Sequence, residues 1–372
     1  FPPGSAEGSE TTKKRVRPPG SGAGSGKAGK GAKASKPSPM MRQFADAKRE
    51  APDALLFFRM GDFYELFGDD AVTASRELGL TLTSRAKGDD ALPMAGVPVK
   101  SAEGYLMQLV RKGFKVAICE QVQDPREAKG IVDRAVVRIV TAGTITEEEA
   151  LDAREPNFLA SLWVAGKRAG LAWVDLSTGR LCASELPTAG VADEVARVRP
   201  AELLRSTALI ESEPALDAEL ESLLGGCVSE REPWRFDRDA AARALARQFK
   251  VATLEGFGIE DDSPVVPAAG ALIEYLEETQ RSSLEHIRRV ERVQGSDFLV
   301  LDRATRSCLE LVTTQREGRR EGTLLDTLDA TLTPMGGRLL REWLLTPLRG
   351  VDAILHRQRG VAELVEAPFL RE

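Results

Sequence analysis

The sequence predicts a multidomain chain: a disordered basic tail, a small mixed α/β domain, a second α/β domain and then an all-α segment. Three observations predict it. Residues 1–38 are rich in Gly, Pro, Ser and Lys and hold almost no apolar side chains after Phe1, so burial there cannot offset chain entropy. Between residues 39 and 265, short apolar runs alternate with stretches of helical periodicity, the pattern of layered α/β domains. From residue 266 onward the apolar positions recur at helical spacing alone. The expected divisions are therefore 1–38, 39–145, 150–265 and 266–372, and 372 residues suffice for two to three domains with sizeable cores.

The tail carries eight Lys or Arg against two Glu, while residues 39–142 hold 15 of each sign. With a net charge of -6 for the whole chain, the acidic excess falls on the remainder. An overall pI near 5.4 does not point to nucleic acid, although a local basic face is compatible with it. Gly24-Ser25-Gly26-Lys27-Ala28-Gly29-Lys30 superficially suggests a phosphate loop. It has Ser21 where the first Gly belongs, Ala28 where a magnesium-binding hydroxyl belongs, and no strand before it, so a flexible tail is the better reading. Cys119, Cys182, Cys227 and Cys308 are far apart with no Cys-x-x-Cys, and only His286 and His356 could join them; reduced thiols are expected rather than a zinc site. No apolar run approaches a membrane span, and a cytoplasmic protein without membrane contact is expected. The chain starts with Phe and stops at Glu372 inside a helical pattern, which suggests part of a longer protein.

Order begins at Ser38-Pro39, a cap followed by proline at the first helical position, leading into Met40, Met41 and Phe44. Leu55–Met60 reads as a strand, Gly61-Asp62 as a turn and Phe63–Phe67 as its return. A helix capped by Asp69 or Asp70 should end at Gly79, with a strand at Leu80–Thr83. Ser101 opens a helix carrying Leu106, Leu109 and Val110 and closed by Gly113; strands at Val116–Gln121 and Val136–Val140 complete the domain. Phe158–Val164, Ala169–Leu176 and Arg180–Leu186 read as a three-stranded meander. Pro267 opens a helix with Leu272, Tyr275 and Leu276. Leu301, Thr305, Cys308, Leu309 and Val312 fall on one helical face, and Thr333-Pro334 starts a helix with Met335, Leu339, Trp343 and Leu344 on its apolar side and Pro347 at its end.

The stretch that draws chemical interest is Gly61-Asp62-Phe63-Tyr64-Glu65-Leu66-Phe67. In an extended segment Phe63, Glu65 and Phe67 share one face, with Tyr64 and Leu66 on the other. Taken alone, this is most simply a half-buried strand with a solvated Glu. An aromatic ring beside a carboxylate also suits a surface that wedges into something flat and tests it for hydrogen bonds. Asp175, at the end of the second meander strand, invites a metal-nuclease reading, but no further carboxylates converge on it and a turn role is favoured.

Four blocks in order resemble the N-terminal half of the bacterial MutS DNA mismatch repair family. Ser38-Pro39-Met40-Met41 with Leu55–Phe67 resembles the start of its mismatch-recognition domain, including a Phe-x-Glu motif at Phe63-Tyr64-Glu65. Leu92–Pro98 and Val116–Gln121 match later blocks. Val140–Thr144 resembles the exit into a ribonuclease H-like connector, and Leu301–Thr305 with Thr331–Pro347 the start of the lever and core helices. Two positions depart from the pattern: Val99-Lys100 stands where Tyr-His is common, and Cys308 where Asn is usual.

The resemblance implies that Phe63 enters the minor groove of kinked, mismatched double-stranded DNA and that Glu65 probes a displaced base. Met60 and Met94 would be apolar neighbours, and Arg59, Arg85, Lys87 and Lys100 phosphate contacts. It further implies a nucleoid-associated homodimer working with factors of the MutL type. No Walker motif occurs within these residues, so no catalysis and no cofactor is expected of them; ATP and magnesium would belong to an ATPase domain elsewhere in the parent protein. The competing readings are a metal-dependent nuclease anchored on Asp175 and a MutS-like binder of branched DNA, which would be expected to lack the Phe63–Glu65 pair.

Overall fold

Apolar runs dense in Val, Leu, Phe and Ala make the central strands of two six-stranded sheets, each covered on both faces, as near-continuous hydrophobic strands require. The computed structural model describes residues 38–84, 92–123, 130–147, 151–367 and 369. The expected disordered tail to residue 37, and with it the phosphate-loop-like stretch, lies outside the described residues, as do Arg85 and Lys87.

The first layer runs α1 (Pro39–Glu50), β1 (Ala54–Met60), β2 (Phe63–Phe67), α2 (Asp69–Leu78), β3 (Thr83–Ser84), β4 (Pro93–Pro98), α3 (Ala102–Arg111), β5 (Lys115–Gln121) and β6 (Arg134–Val140). The sheet order is β3-β4-β2-β1-β5-β6, antiparallel except where β1 meets β5. One face, with Leu55, Phe57, Tyr64, Leu66, Ala95 and Val97, is packed by α2 and α3. The other carries Leu56, Phe58, Phe67, Ala117 and Cys119 and is covered by α1 through Met40, Phe44 and Ala47. Asp70 does not cap α2, whose N-cap is Gly68 without a side-chain bond. Its buried carboxylate instead accepts from the Leu56 amide at 3.0 Å and from Lys48 at 2.9 Å, which fixes β1 and α1 together. The strand expected at Leu80–Thr83 is reduced to two residues pairing with Met94 and Pro93.

The second layer comprises β7 (Phe158–Ala165), β8 (Arg168–Asp175), β9 (Arg180–Pro187), α4 (Val191–Val198), β10 (Glu202–Ser206), α5 (Ala208–Ser212), α6 (Pro214–Leu224), β11 (Val228–Arg231), α7 (Arg238–Phe249), α8 (Val265–Gln280) and β12 (Val290–Arg292). Its order is β11-β10-β7-β8-β9-β12: the predicted meander β7-β8-β9 is antiparallel, and β10, β11 and β12 add to it in parallel. Helices α7 and α8 cover one face, α4 and α6 the other. The division expected between residues 265 and 266 is corrected here. Helix α8 is apolar nearly all round, and Leu272, Tyr275 and Leu276 are buried against the second sheet, so α8 belongs to that layer. Its start lies so close to β8 that a Cβ on Gly170 would fall 2.1 Å from the Pro264 carbonyl oxygen.

Four helices follow: α9 (Arg303–Cys308), α10 (Leu324–Leu328), α11 (Pro334–Leu345) and α12 (Val351–Glu366). Two expectations fail among them. The face predicted through Leu301, Thr305, Cys308, Leu309 and Val312 does not form one helix. Helix α9 is capped by Asp302, whose side chain accepts from the Thr305 amide at 2.6 Å, and it ends at Cys308; Glu310 then takes a left-handed φ of 44° that stops propagation. Helix α11 does start at Thr333, which caps the Gly336 amide, but it buries Gly337, Arg341 and Leu345 while Met335 and Leu339 face outward. Ion pairs set that orientation: Arg338 reaches Asp175 at 3.2 Å, and Glu342 receives Arg180 at 2.7 and 3.0 Å.

Candidate nucleic-acid interface

Gly61, at φ 61°, supplies the left-handed residue that turns β1 into β2. The pairing that follows puts Met60 opposite Phe63 and Phe58 opposite Glu65. On the other side of β2, Phe63 pairs with Pro98, Glu65 with Gly96 and Phe67 with Met94. Directly paired residues share a face. The sheet therefore presents three rows: Met60–Phe63–Pro98 at the hairpin end, Phe58–Glu65–Gly96 behind it, and Phe67–Met94 behind that.

Helix α1 closes only the inner part of this face. Phe44 meets Phe67 and Phe58 edge-on, with ring centroids 5.0 and 5.7 Å apart, and Phe67 and Phe58 are buried. At the outer end Phe63 is 44 % exposed, an uncommon state for a large ring on an otherwise covered sheet. Glu65 is half-buried between them. Its carboxylate lies over Gly96: a Cβ there would stand 2.9 Å from Oε2 and 3.1 Å from Oε1. The missing side chain at residue 96 is thus what gives Glu65 its room. Sequence reasoning placed Gly96 in a matched block without giving it this role; the signal that points to it is a glycine inside a strand, which marks a close approach.

Met60 and Met94 stand on the same face as Phe63 and Glu65, partly buried against the inner cluster. Lys100 is exposed in the short turn after β4, and that turn is tied to the hairpin tip by the Val99 amide donating to the Asp62 carbonyl at 2.9 Å. Arg59 is not brought to this face. It lies over the Tyr64 ring at 5.5 Å, donates to the Gly61 carbonyl at 2.6 Å and stands 3.5 Å from Glu120, all on the opposite side of the sheet. Tyr64 is buried, as expected of a packing residue, and its hydroxyl donates to Glu120. Burial, then the Glu120 hydrogen bond and charge, push the Tyr64 hydroxyl up to about 12. One supporting residue had no signal in the sequence. Arg134, on β6, donates to the Arg59 carbonyl at 2.7 Å and to Gln43 at 3.1 Å, with its guanidinium 5.3 Å from the Phe58 ring, and so pins α1, β1 and β6 together.

Asp175 accepts from the Ser177 amide and hydroxyl at 3.1 and 2.6 Å and pairs with Arg338, a turn-and-latch arrangement. Among the described residues no group of three or more His, Cys, Asp or Glu side chains is placed to hold a metal ion. Burial raises the Cys119 and Cys182 thiols to about 12, and Cys308 is exposed. No described helix is long and apolar enough to cross a membrane.

Comparison with known proteins gives three consecutive matches to family models: MutS domain I over residues 38–149, MutS domain II over 157–288 and MutS domain III over 304–372. The domain II match ends beyond α8, in keeping with its place on the second sheet. A DNA mismatch repair protein MutS of Rhodopirellula baltica is 44 % identical over 358 residues, and one of Chlorobium phaeovibrioides is 42 % identical over 340. Each alignment covers 90 % of this chain and 39 % of the relative, so the chain spans well under half the length of these proteins. Three successive MutS domains running through most of the sequence, with this identity, establish that the chain belongs to the MutS family.

Proposed function

We propose that this chain binds mismatched double-stranded DNA in DNA mismatch repair, with Phe63 as the wedge and Glu65 as the probe. The observation that carries the reading is the exposed Phe63 ring at the open end of a sheet, with Glu65 held behind it over Gly96, inside a MutS domain I. A ring entering the minor groove must unstack a base step, at a few kcal/mol, and bend the duplex, at about 1–6 kcal/mol. A mispair has already lost pairing and stacking, so it deforms at lower cost than a paired step. Discrimination then arises from deformability rather than from a base sequence.

Glu65 acts on what the kink exposes. When ionised, its carboxylate accepts from an imino hydrogen that a paired base would have engaged; when protonated, it donates to a purine ring nitrogen. Lys100, at the same hairpin end, and Arg85 and Lys87 are assigned to phosphates, with Met60 and Met94 as apolar flanks. Arg59 is assigned to holding Tyr64 and Glu120 in place of DNA contact. The second sheet is read as a ribonuclease H-like connector; the order β11-β10-β7-β8-β9, with three antiparallel strands followed by two parallel ones, supports that reading. The reading gives these residues no catalysis and no cofactor. ATP and magnesium, a homodimer, partners of the MutL type and a place at the nucleoid are assigned to the whole protein. The nuclease alternative is not favoured, because Asp175 is engaged by Ser177 and Arg338.

A binding titration with mismatched and fully paired duplexes tests the proposal. Phe63→Ala should bring the ratio of the two affinities close to one, and a ratio equal to that of the unaltered protein would refute the wedge. Glu65→Gln should keep binding but change the ranking among mismatches; a uniform loss on all DNA would mean a folding role instead.

A further inference from the structure

A second charged site lies far from the hairpin, in a cavity of about 310 Å³ between α4, α9 and α11. Five arginines line it, Arg197, Arg199, Arg303, Arg306 and Arg341, and no Asp or Glu does. Acidic residues outside the lining pair with some of them, but Arg306 and Arg341 each keep a buried nitrogen without an acceptor. Arg197 is paired with Glu194 at 2.6 Å, and Arg303 stands 3.5 Å from Glu219. Arg306 donates to the Asp193 carbonyl at 2.5 Å and through Nε to the Asp302 carbonyl at 3.4 Å, while its Nη1 is buried without a hydrogen bond. Arg341 is 7 % exposed, makes no hydrogen bond or ion pair with another described residue, and its Nε is fully buried. Burial disfavours the charged form of both Arg306 and Arg341; for Arg306 the charge of Arg197 adds to this against those of Glu194, Asp193 and Asp302, and for Arg341 those of Arg199 and Arg320 add to it against Glu155.

A guanidinium does not shed its proton at neutral pH, so buried nitrogens without acceptors, as in Arg341 and at Nη1 of Arg306, favour an acceptor brought from outside the described residues. Forked donors converging from several arginines match the oxygens of a tetrahedral oxyanion, and a cluster of this charge favours one bearing two or more negative charges. We propose that this cavity is a binding site for a small phosphate-class anion, one or two phosphate groups in size, held chiefly by Arg341 and Arg306. The ligand would tie α4 of the second layer to α9 and α11 of the helical segment, and so set how firmly the two are joined. The site does not depend on the role given to Phe63.

The test is calorimetric titration of the protein with pyrophosphate and with inorganic phosphate, at constant ionic strength and with sodium acetate as control. Saturable binding of pyrophosphate is expected, with acetate silent. Arg341→Met should weaken it at least tenfold, and Arg247→Met, on the outer surface of α7, should leave it unchanged. If Arg341→Met does not fold, Arg306→Gln serves in its place with the same expected loss. No saturable heat, equal binding in the Arg341 or Arg306 variant, or equal binding of acetate would each overturn the proposal. Adding a short paired duplex separates a free ligand from the DNA backbone as the phosphate source: pyrophosphate affinity should not change, and competition by the duplex would overturn assignment to a small anion.

Discussion

Among single residues, Glu65 and Gly96 depend on each other most closely. The carboxylate keeps its place only because residue 96 has no side chain. Gly96→Ala should therefore move Glu65 rather than break the strand, since the atoms that must give way are the far end of a flexible side chain. Thermal stability is expected to change by less than about 1 kcal/mol, while the ranking among mismatches shifts as it does for Glu65→Gln. A variant with unaltered ranking would show that the carboxylate is not held by this contact. The shared face of Phe63 and Glu65 was legible in the sequence from period-2 alternation. Arg59, a basic residue one step before Met60, looks available for phosphate in the sequence, and only the register shows it on the far face, over Tyr64.

At the scale of elements, the packing of α7 on α8 sets two effects against each other at Gly270. Replacing a glycine inside a helix by alanine gains about 1 kcal/mol in intrinsic propensity. Here the new Cβ would lie 2.3 Å from the Ala241 Cβ, with backbone at 2.5 Å, so the helices must separate. Overpacking of that kind costs about 1–3 kcal/mol, and the clash should win. A lowered urea midpoint for Gly270→Ala is the expected result, and an unchanged or raised midpoint would contradict the close packing. Strands and short helices were mostly readable because each carries its own alternation or caps. What was not readable was membership. Helix α8 looks like the start of a helical domain until its buried residues are seen against β7 and β8, and Met335 and Leu339 of α11 fall on its outer face while Arg338 and Glu342 pair with Asp175 and Arg180. Such choices depend on partners far away in the sequence, which no local pattern records.

Across the whole molecule, a buried carboxylate is one of the joints between the two sheet layers, beside the bonds of Arg281 to Glu50 and to the Val136 carbonyl. Glu202 accepts from the Thr141 hydroxyl, from the Gly143 amide at 3.1 Å, and from Tyr275 and Ser229 at 2.7 Å each, so the exit of the first domain is anchored to the core of the second. Tyr275 is raised by burial and then by Glu202, and Tyr64, Cys119 and Cys182 are also raised, the last three to about 12 from ordinary values of 10.0, 9.0 and 9.0. All four hold their protons more firmly folded than unfolded. Their contribution is complete below pH 9; as pH rises from about 9 toward 12 the unfolded chain releases protons that the folded chain keeps, and stability must fall. Denaturation midpoints followed across that range should decline, and a flat profile between pH 9 and 11 would contradict the burial of these groups. The proposed insertion of Phe63 at a mispair is read most directly by 2-aminopurine placed there. Stacking of the Phe63 ring on the mispaired base predicts that the unaltered protein changes this fluorescence, that Phe63→Ala bound to the same duplex does not, and that a fully paired duplex responds to neither. An equal response from the unaltered protein and Phe63→Ala would contradict the wedge.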